Sequence, residues 1–242
     1  MYKGKTVSLV LATYREKKTI RRVIESFQKT QFVDEIIVVN NNAQKGTDQE
    51  VNKTGVKIVY EDRQGYGYAF QKGLNTARGD LIVACEPDGS FLAKDLERLL
   101  VYSNDFEVVL GSRTSLISSL SGAGMGVFRK FANVIEAKTI EVLFNTNALT
   151  DVGCTYKLFS RKALNILKRK WGFEKSPLFN TQLTLLTVSN KLSFVEVPVT
   201  YLQRVGESAI VGNYLQTVKW AIFIQTYILV FWTRYISKKL HT

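Results

Sequence analysis

The sequence predicts an α/β fold, a mixed, mostly parallel sheet flanked by helices, in a chain of 242 residues. Three observations carry that prediction. Short apolar runs alternate with helical periodicities over about the first 110 residues, the pattern of strands joined by helical crossovers. The runs are apolar on both faces, as in strands covered by helices on each side. Each run ends in a polar cluster, and in parallel sheets ligands bind beyond the carboxyl ends of the strands.

The elements follow in order. Val7-Ser-Leu-Val-Leu-Ala12 is short, β-rich and apolar. After Thr13-Tyr-Arg-Glu16, Ile20, Val23, Ile24 and Phe27 share one helix face. Glu35-Ile-Ile-Val-Val39 is a second strand, closed by a polar turn from Asn40 to Gly46, and Val56-Lys-Ile-Val-Tyr60 is a third. Gln64-Gly-Tyr-Gly-Tyr68 leads into a helix through Ala69, Phe70, Leu74 and Ala77, stopped at Gly79. Leu81-Ile-Val-Ala-Cys85 is the fourth strand, Asp95 to Tyr102 a helix, and Phe106-Glu-Val-Val-Leu110 the fifth strand.

The fourth strand organises the rest. It ends in two carboxylates one residue apart, Glu86 and Asp88, with Pro87 between and Gly89 after. Carboxylates that close repel unless a cation lies between them or one takes up a proton. Hard oxygen ligands at a strand end suit Mg2+ or Mn2+ bridging to substrate phosphates. The alternative is a solvated turn built on proline and glycine. Thr13 to Glu16, Asn40 to Asn42, Arg63 to Gly67, Glu86 to Asp88 and Gly111-Ser-Arg113 all fall on one rim, which favours a site.

Ser118 to Gly126, rich in serine and glycine, is expected to be a mobile loop. A long helix, Val127 to Phe144, follows. Asp151 to Phe159 is expected to return toward the sheet as a strand. Arg161 to Leu167 and Leu178 to Ser189 are helices, and Leu192 to Tyr201 is extended. The expected organisation is one catalytic domain over residues 1–210 and a helix over 211–242 that associates with a membrane or packs on the domain.

That last helix, Tyr214 to Lys239, holds 14 uncharged residues from Trp220 to Thr233. They extend roughly 21 Å at 1.5 Å per residue, short of the roughly 30 Å of a bilayer core. Trp220, Tyr227, Trp232 and Tyr235, with Arg234, Lys238 and Lys239, suit a headgroup layer. The expectation is a helix lying on or dipping into a membrane, with packing on the domain or in a dimer as the alternative.

Composition narrows the function. A net charge of +12 attracts anions, such as nucleotides or acidic membrane surfaces. No nucleic-acid motif or basic stripe accompanies it, so nucleic acid is not an expected partner. Cys85 and Cys154 offer neither a disulfide framework nor zinc spacing. The single histidine, His241, is next to last, which excludes histidine-based catalysis. With no signal peptide visible ahead of the first strand, a cytoplasmic protein is expected, peripheral or shallowly inserted at the inner face of the cell membrane. Homo-oligomerisation stays open.

Several segments together resemble the family 2 glycosyltransferases of the GT-A (Rossmann-like) fold, and within them the polyprenol-phosphate or dolichol-phosphate glycosyltransferases. They are Leu11-Ala-Thr-Tyr-Arg-Glu16, the acidic pair, Gly111-Ser-Arg113, Asp151-Val-Gly-Cys154, Glu196-Val-Pro-Val-Thr-Tyr201 and Arg204-Val-Gly-Glu-Ser208. The resemblance implies a nucleotide-sugar donor, UDP- or GDP-linked, lying across the strand ends and bordered by Thr13, Tyr14 and Glu16. Asn41 occupies a position where the family often has an acidic residue that reads the base. Gly65 and Gly67 would allow close approach to the nucleotide, with Arg63 as an anion partner. The acidic pair resembles the family's Asp-x-Asp motif with Glu86 in place of the first Asp, so Asp88 is the expected direct ligand of Mn2+ or Mg2+. Arg204 matches an arginine that contacts the donor diphosphate, and Ala209 stands where a lysine is common. On the acceptor side the resemblance assigns Arg113, Arg129 and Asn133 to a polyprenyl phosphate. Asp151 matches a carboxylate near the reaction centre, as a base or to orient the acceptor. A transferase for a glycan, glycolipid or small-molecule hydroxyl is the alternative, and a non-catalytic basic binding protein a further one.

Overall fold

The structure, a computed structural model, describes residues 1–114, 126–172, 176, 178–205 and 214–240. In chain order these form β1 (Val7–Thr13), α1 (Ile20–Gln28), β2 (Glu35–Asn40), α2 (Thr47–Asn52), β3 (Lys57–Tyr60), α3 (Tyr66–Thr76) and β4 (Leu81–Cys85). A 3-10 turn, Ala93–Asp95, leads into α4 (Leu96–Tyr102). Then come β5 (Val108–Ser112), α5 (Val127–Phe144), β6 (Lys157–Ser160), α6 (Arg161–Lys168), α7 (Leu178–Ser189), β7 (Phe194–Pro198) and α8 (Tyr214–Leu240).

The strands form one seven-stranded sheet ordered β3-β2-β1-β4-β6-β5-β7. Neighbours are parallel except β6, which runs antiparallel to both β4 and β5. The expected mixed, mostly parallel α/β sheet is therefore present. Central β1 and β4 are buried on both faces, with Val10, Ile82 and Ala84 in one core and Leu9, Leu11 and Val83 in the other. This explains why both strands read as continuous apolar runs rather than alternating ones.

Two short elements differ from the sequence reading. The polar turn after β2 contains α2, whose six residues carry too little apolar signal to show a period. The strand expected across Asp151–Phe159 forms only over Lys157–Ser160, because Asp151–Tyr156 turns into the site. The loop expected at Ser118–Gly126 falls outside the described residues apart from Gly126, as do Gly206, Glu207, Ser208 and Ala209.

Close packing fixes α3 on the sheet. A Cβ at Gly73 would stand 2.3 Å from Val10 Cγ1 and 2.8 Å from Val39 Cγ2, so only glycine lets this helix approach β1 and β2 so closely. The start of α3 is thereby held beside the carboxyl ends of β1 and β4. α8 packs along α5 and α7. Ile228 is fully buried, Trp232 Nε1 donates to the Leu143 carbonyl at 2.9 Å, and Gln225 Nε2 donates to Thr139 Oγ1 at 2.9 Å. The packing alternative is thus realised on one face of the helix. The opposite face carries Leu215, Ile222, Thr226, Leu229, Thr233 and Leu240, all exposed. Among the described residues no helix is long and apolar enough to cross a membrane.

Candidate active site

A cavity of about 900 Å³ opens at the carboxyl ends of β1, β2 and β4. Of the residues singled out from sequence, Thr13, Tyr14, Glu16, Asn41, Gly65, Glu86 and Arg204 line it. Arg63, Gly67, Asp88, Arg113, Arg129, Asn133 and Asp151 do not.

Around the cavity much of the polar chemistry holds the loops. Glu16 Oε2 accepts from the backbone N–H of Tyr14 at 2.6 Å and of Arg15 at 2.9 Å. Asn41 is buried, donates to the carbonyls of Glu61 and Arg63, and accepts from the Gly65 N–H. Its amide therefore clamps the 61–65 loop to the end of β2. Arg63 is exposed, pairs with Glu61 at 2.9 Å and lies over the Tyr68 ring. Gly67 is buried in the first turn of α3.

The acidic pair divides into two environments. Asp88 is 1% exposed. Its Oδ1 accepts from Ser90 N–H at 2.9 Å and Ser90 Oγ at 2.5 Å, across a turn closed by Gly89 at φ +79°. Its Oδ2 makes no hydrogen bond but lies 3.1 Å from Arg204 Nη2. Arg204 arrives because residues 201–205 run along the acidic turn: Phe91 bridges Tyr201, Leu202 N–H donates to the Ser90 carbonyl, and Val205 N–H to the Asp88 carbonyl.

Glu86 sits in a buried polar network that sequence reasoning missed. Thr155 Oγ1 donates to Glu86 Oε1 at 2.8 Å, and the Tyr66 hydroxyl lies 3.1 Å from the same oxygen. Asn180 Nδ2, from α7, donates to the Tyr66 hydroxyl at 2.7 Å and to Thr155 Oγ1 at 3.1 Å. Burial, and then the charge of Asp88, push the Glu86 carboxyl above its ordinary value, against the Thr155 hydrogen bond. A sequence signal for α7 exists in hindsight: Asn180, Thr184 and Thr187 are polar at i, i+4 and i+7, and all three are buried, as are Thr181 and Gln182.

A second polar cluster, outside the cavity wall, centres on Arg113 and Asp151. Arg113 Nε donates to Asp151 Oδ2 at 2.8 Å and Nη2 to Oδ1 at 2.9 Å. The Arg113 N–H also donates to Oδ2, and the Gly153 N–H to Oδ1. Tyr201 lies under the guanidinium, 5.2 Å from its ring centre. Asp151 is fully buried, which disfavours its charge. The charge and hydrogen bonds of Arg113 outweigh burial and hold the carboxyl below its ordinary value. Asn133 reaches the same place: a Cβ on Gly153 would lie 3.2 Å from Arg113 Nη2 and 3.3 Å from Asn133 Oδ1. Arg129, one turn before Asn133 on α5, is exposed.

Three further residues support this cluster. Glu196, on β7, accepts from the N–H groups of Thr150 and Asp151 and from Thr150 Oγ1. Lys157 is fully buried and donates to the Cys154 carbonyl. Glu136 is 4% exposed on α5, and burial together with the charge of Asp151 pushes its carboxyl up to about 8. The C-terminal helix also contributes, since Gln216, Lys219, Trp220 and Phe223 form part of the cavity wall.

The glycosyl transferase family 2 model matches residues 8–167, from β1 through α6. The chain belongs to glycosyl transferase family 2. The matched stretch holds the acidic pair, Arg113 and Asp151. Among similar family 2 sequences is the low-salt glycan biosynthesis hexosyltransferase Agl6 of Haloferax volcanii, 26% identical over 210 residues, covering 84% of this chain and 49% of that one. The dolichyl-phosphate beta-glucosyltransferase ALG5C of Trichomonas vaginalis is 26% identical over 226 residues, covering 83% of this chain and 65% of its own length. The chain thus spans about half of the first relative and just under two thirds of the second. The dolichyl-phosphate beta-glucosyltransferase of Saccharomyces cerevisiae is 23% identical, covering 81% of this chain and 66% of that one. Among solved structures, the glucosyl-3-phosphoglycerate synthase of Mycobacterium tuberculosis superposes with a TM-score of 0.71 at 16% identity, over 96% of this chain and 80% of that one. That likeness establishes the shared GT-A fold.

Proposed function

We propose that the chain is a metal-dependent, inverting glycosyltransferase that moves a hexose from a nucleotide-sugar to a polyprenyl phosphate at the cytoplasmic face of a membrane. The observation that carries this reading is the locked Arg113–Asp151 pair beside Asn133. A sugar hydroxyl needs a general base to become a nucleophile, whereas a lipid phosphate is already an anion and needs a placed cation. Asp151 is engaged at both oxygens by Arg113, so it acts as the arginine's orienter rather than as a base. A guanidinium fixed in this way offers its remaining donors to phosphate oxygens. Relatives named for dolichyl-phosphate glucosyl and hexosyl transfer support the choice of acceptor.

In the proposed step a phosphate oxygen attacks the anomeric carbon as the carbon–oxygen bond to the donor diphosphate breaks. The anomeric centre inverts and the nucleoside diphosphate leaves. Thr13, Tyr14 and Asn41 border the nucleotide, Arg204 faces its diphosphate, and Glu86 lies toward the sugar. Asp88 fits a divalent cation because its buried Oδ2 makes no hydrogen bond and faces a positive charge, Arg204 at 3.1 Å, in the place a cation would take. Among the described residues no three His, Cys, Asp or Glu group together, so donor oxygens would complete the coordination. When bound, the ion offsets charge building on the leaving diphosphate. Structures of the mycobacterial synthase with Mn2+ and UDP support Mn2+ as the first ion to try.

Membrane association rests on two exposed apolar stripes, Phe128, Phe131, Ile135 and Val142 on α5 and Leu215, Ile222 and Leu229 on α8. Lys238 and Lys239 close α8 with positive charge.

A hydroxyl acceptor is the second reading, favoured by Glu136. A buried carboxyl pushed up to about 8 beside Asp151 is the group such an acceptor would use as its base. The deciding assay incubates the purified chain with Mn2+, polyprenyl phosphate and a panel of UDP-glucose, UDP-N-acetylglucosamine and GDP-mannose. Sugar recovered in the lipid extract is the expected result. Transfer to soluble acceptors alone would overturn the phosphate reading.

A further inference from the structure

The donor carboxylate and the acceptor loop meet at one side chain that neither the family match nor the sequence motifs single out. Asn180 is 7% exposed and lies in the first turn of α7. Besides the Tyr66 hydroxyl and Thr155 Oγ1, its Nδ2 lies 3.3 Å from the Gly153 carbonyl. An amide nitrogen carries two hydrogens and no acceptor, so these three oxygens share two donors. Asn180 donates to both hydroxyls, Tyr66 and Thr155, which lie 2.7 Å apart, and both hydroxyls donate to Glu86 Oε1, at 3.1 and 2.8 Å. Oε1 therefore carries the protein hydrogen bonds. Glu86 lines the cavity, which leaves Oε2 for whatever occupies it.

The other end of the chain reaches the acceptor side. Gly153 donates its N–H to Asp151 Oδ1 and abuts both Arg113 and Asn133. One amide thus sets the position of Glu86 and, through the Gly153 carbonyl, the position of the loop that holds the Arg113–Asp151 pair. Buried networks of this kind lock geometry when every member is satisfied.

We propose that Asn180 is the positioning residue of the site, acting through Tyr66 and Thr155 to hold Glu86 against a hydroxyl of the donor's sugar. The inference rests on the transferase reading above. A carboxylate oxygen accepts from a sugar hydroxyl and discriminates its placement, because a misplaced partner leaves the buried acceptor unpaired. The nucleotide lies on the Thr13 and Asn41 side and does not sense this network.

The test compares binding of a nucleotide with binding of the same nucleotide carrying its sugar. UDP against UDP-glucose, and GDP against GDP-mannose, are titrated calorimetrically with Mn2+ into the full chain and into Asn180→Asp and Tyr66→Phe. Asn180→Asp keeps the shape and removes the donors, and Tyr66→Phe breaks the relay without changing the helix. The expected result is unchanged nucleoside diphosphate affinity, nucleotide-sugar affinity weakened about tenfold for each lost hydrogen bond, and a lower ratio of turnover between sugars. Equal weakening of both ligands, or none, overturns the positioning role. If Asn180→Asp does not fold, Tyr66→Phe alone carries the comparison. If the unaltered chain binds none of the four ligands, the transferase reading falls and this inference falls with it. If the unaltered chain binds and the variants keep its ratio, only this inference fails.

Discussion

Asp151 grips Arg113 with both carboxylate oxygens, which accept from the guanidinium at 2.8 and 2.9 Å and from the Arg113 backbone N–H at 3.0 Å. The carboxylate is wholly buried and the arginine side chain is 14% exposed. Removing one partner of a buried pair leaves the other charge without compensation, a cost of about 3–5 kcal/mol. Asp151→Asn should therefore lower unfolding free energy by about that amount in urea denaturation. It should also lower turnover on a phosphate acceptor at least a hundredfold, about 3 kcal/mol or more. The pair has a pH signature too. Arg113 holds the Asp151 carboxyl below its ordinary value, so its stabilisation is present above the unfolded value near 3.9 and is lost as pH falls through the folded value. The variant should show a shallower loss of stability below about pH 4.

Glu136 has the opposite sign. Its carboxyl is pushed up to about 8 by burial and by Asp151, so the folded chain holds a proton between about 4.5 and 8 that the unfolded chain releases. Stability contributed at this position falls as pH rises through that window. Glu136→Gln should flatten the slope and leave the protein more stable at pH 8 by an amount on the order of a few kcal/mol. Chemical denaturation at pH 5, 6.5 and 8 reads the change. The same variant separates the two acceptor readings. Turnover within a few-fold of the unaltered enzyme agrees with a phosphate nucleophile, and near-complete loss agrees with a hydroxyl.

Asp88→Ala should abolish the thermal stabilisation that UDP-glucose or another matching nucleotide-sugar gives in the presence of Mn2+, and reduce turnover about a hundredfold or more. Thermal-shift measurements with and without the ion check it. Stabilisation that persists unchanged in the variant, ion included, assigns the cation elsewhere.

Membrane association is tested on α8. Ile222 and Leu229 lie two turns apart on its outward stripe, and the intervening Thr226 bonds its hydroxyl back to the Ile222 carbonyl at 2.8 Å, an arrangement that keeps the stripe apolar. Ile222→Glu with Leu229→Glu should reduce cosedimentation with vesicles of anionic lipid by about tenfold or more. The fold should be unaffected, since neither side chain is buried.

The central fold was legible because β1 and β4 are covered on both faces, which forces long apolar runs, and because the crossover helices α1 and α3 show their buried stripes as a 3.6-residue period. Helix α5 was legible to the residue. The cavity rim was legible because its residues follow directly on strand ends. The network behind Glu86 was not. Tyr66, Thr155 and Asn180 come from three elements separated by 89 and 25 positions, and each reads locally as an ordinary helix or loop residue. Nor did the local pattern show that Asn41 and Arg63 would spend their side chains on the 61–65 loop, because a loop's hydrogen bonds depend on where its ends are held. Glu136 was hidden for a related reason. On α5 it follows Arg129 and Asn133 at i+7 and i+3, a spacing that reads as a polar face until the fold buries Glu136 to 4% exposure.

The reversed direction of β6 has one more consequence. A parallel strand offers its last residues to the rim, but β6 offers what precedes its first. The chain leaves the sheet at Gly111–Arg113, travels out through α5, and returns at Asp151. Arg113 and Asp151 are thus the two ends of a single excursion, and their ion pair is the clasp that closes it. Segments exchanged between related enzymes should be cut outside this clasp, because a graft that brings in one end without the other would import a buried charge with no counterpart.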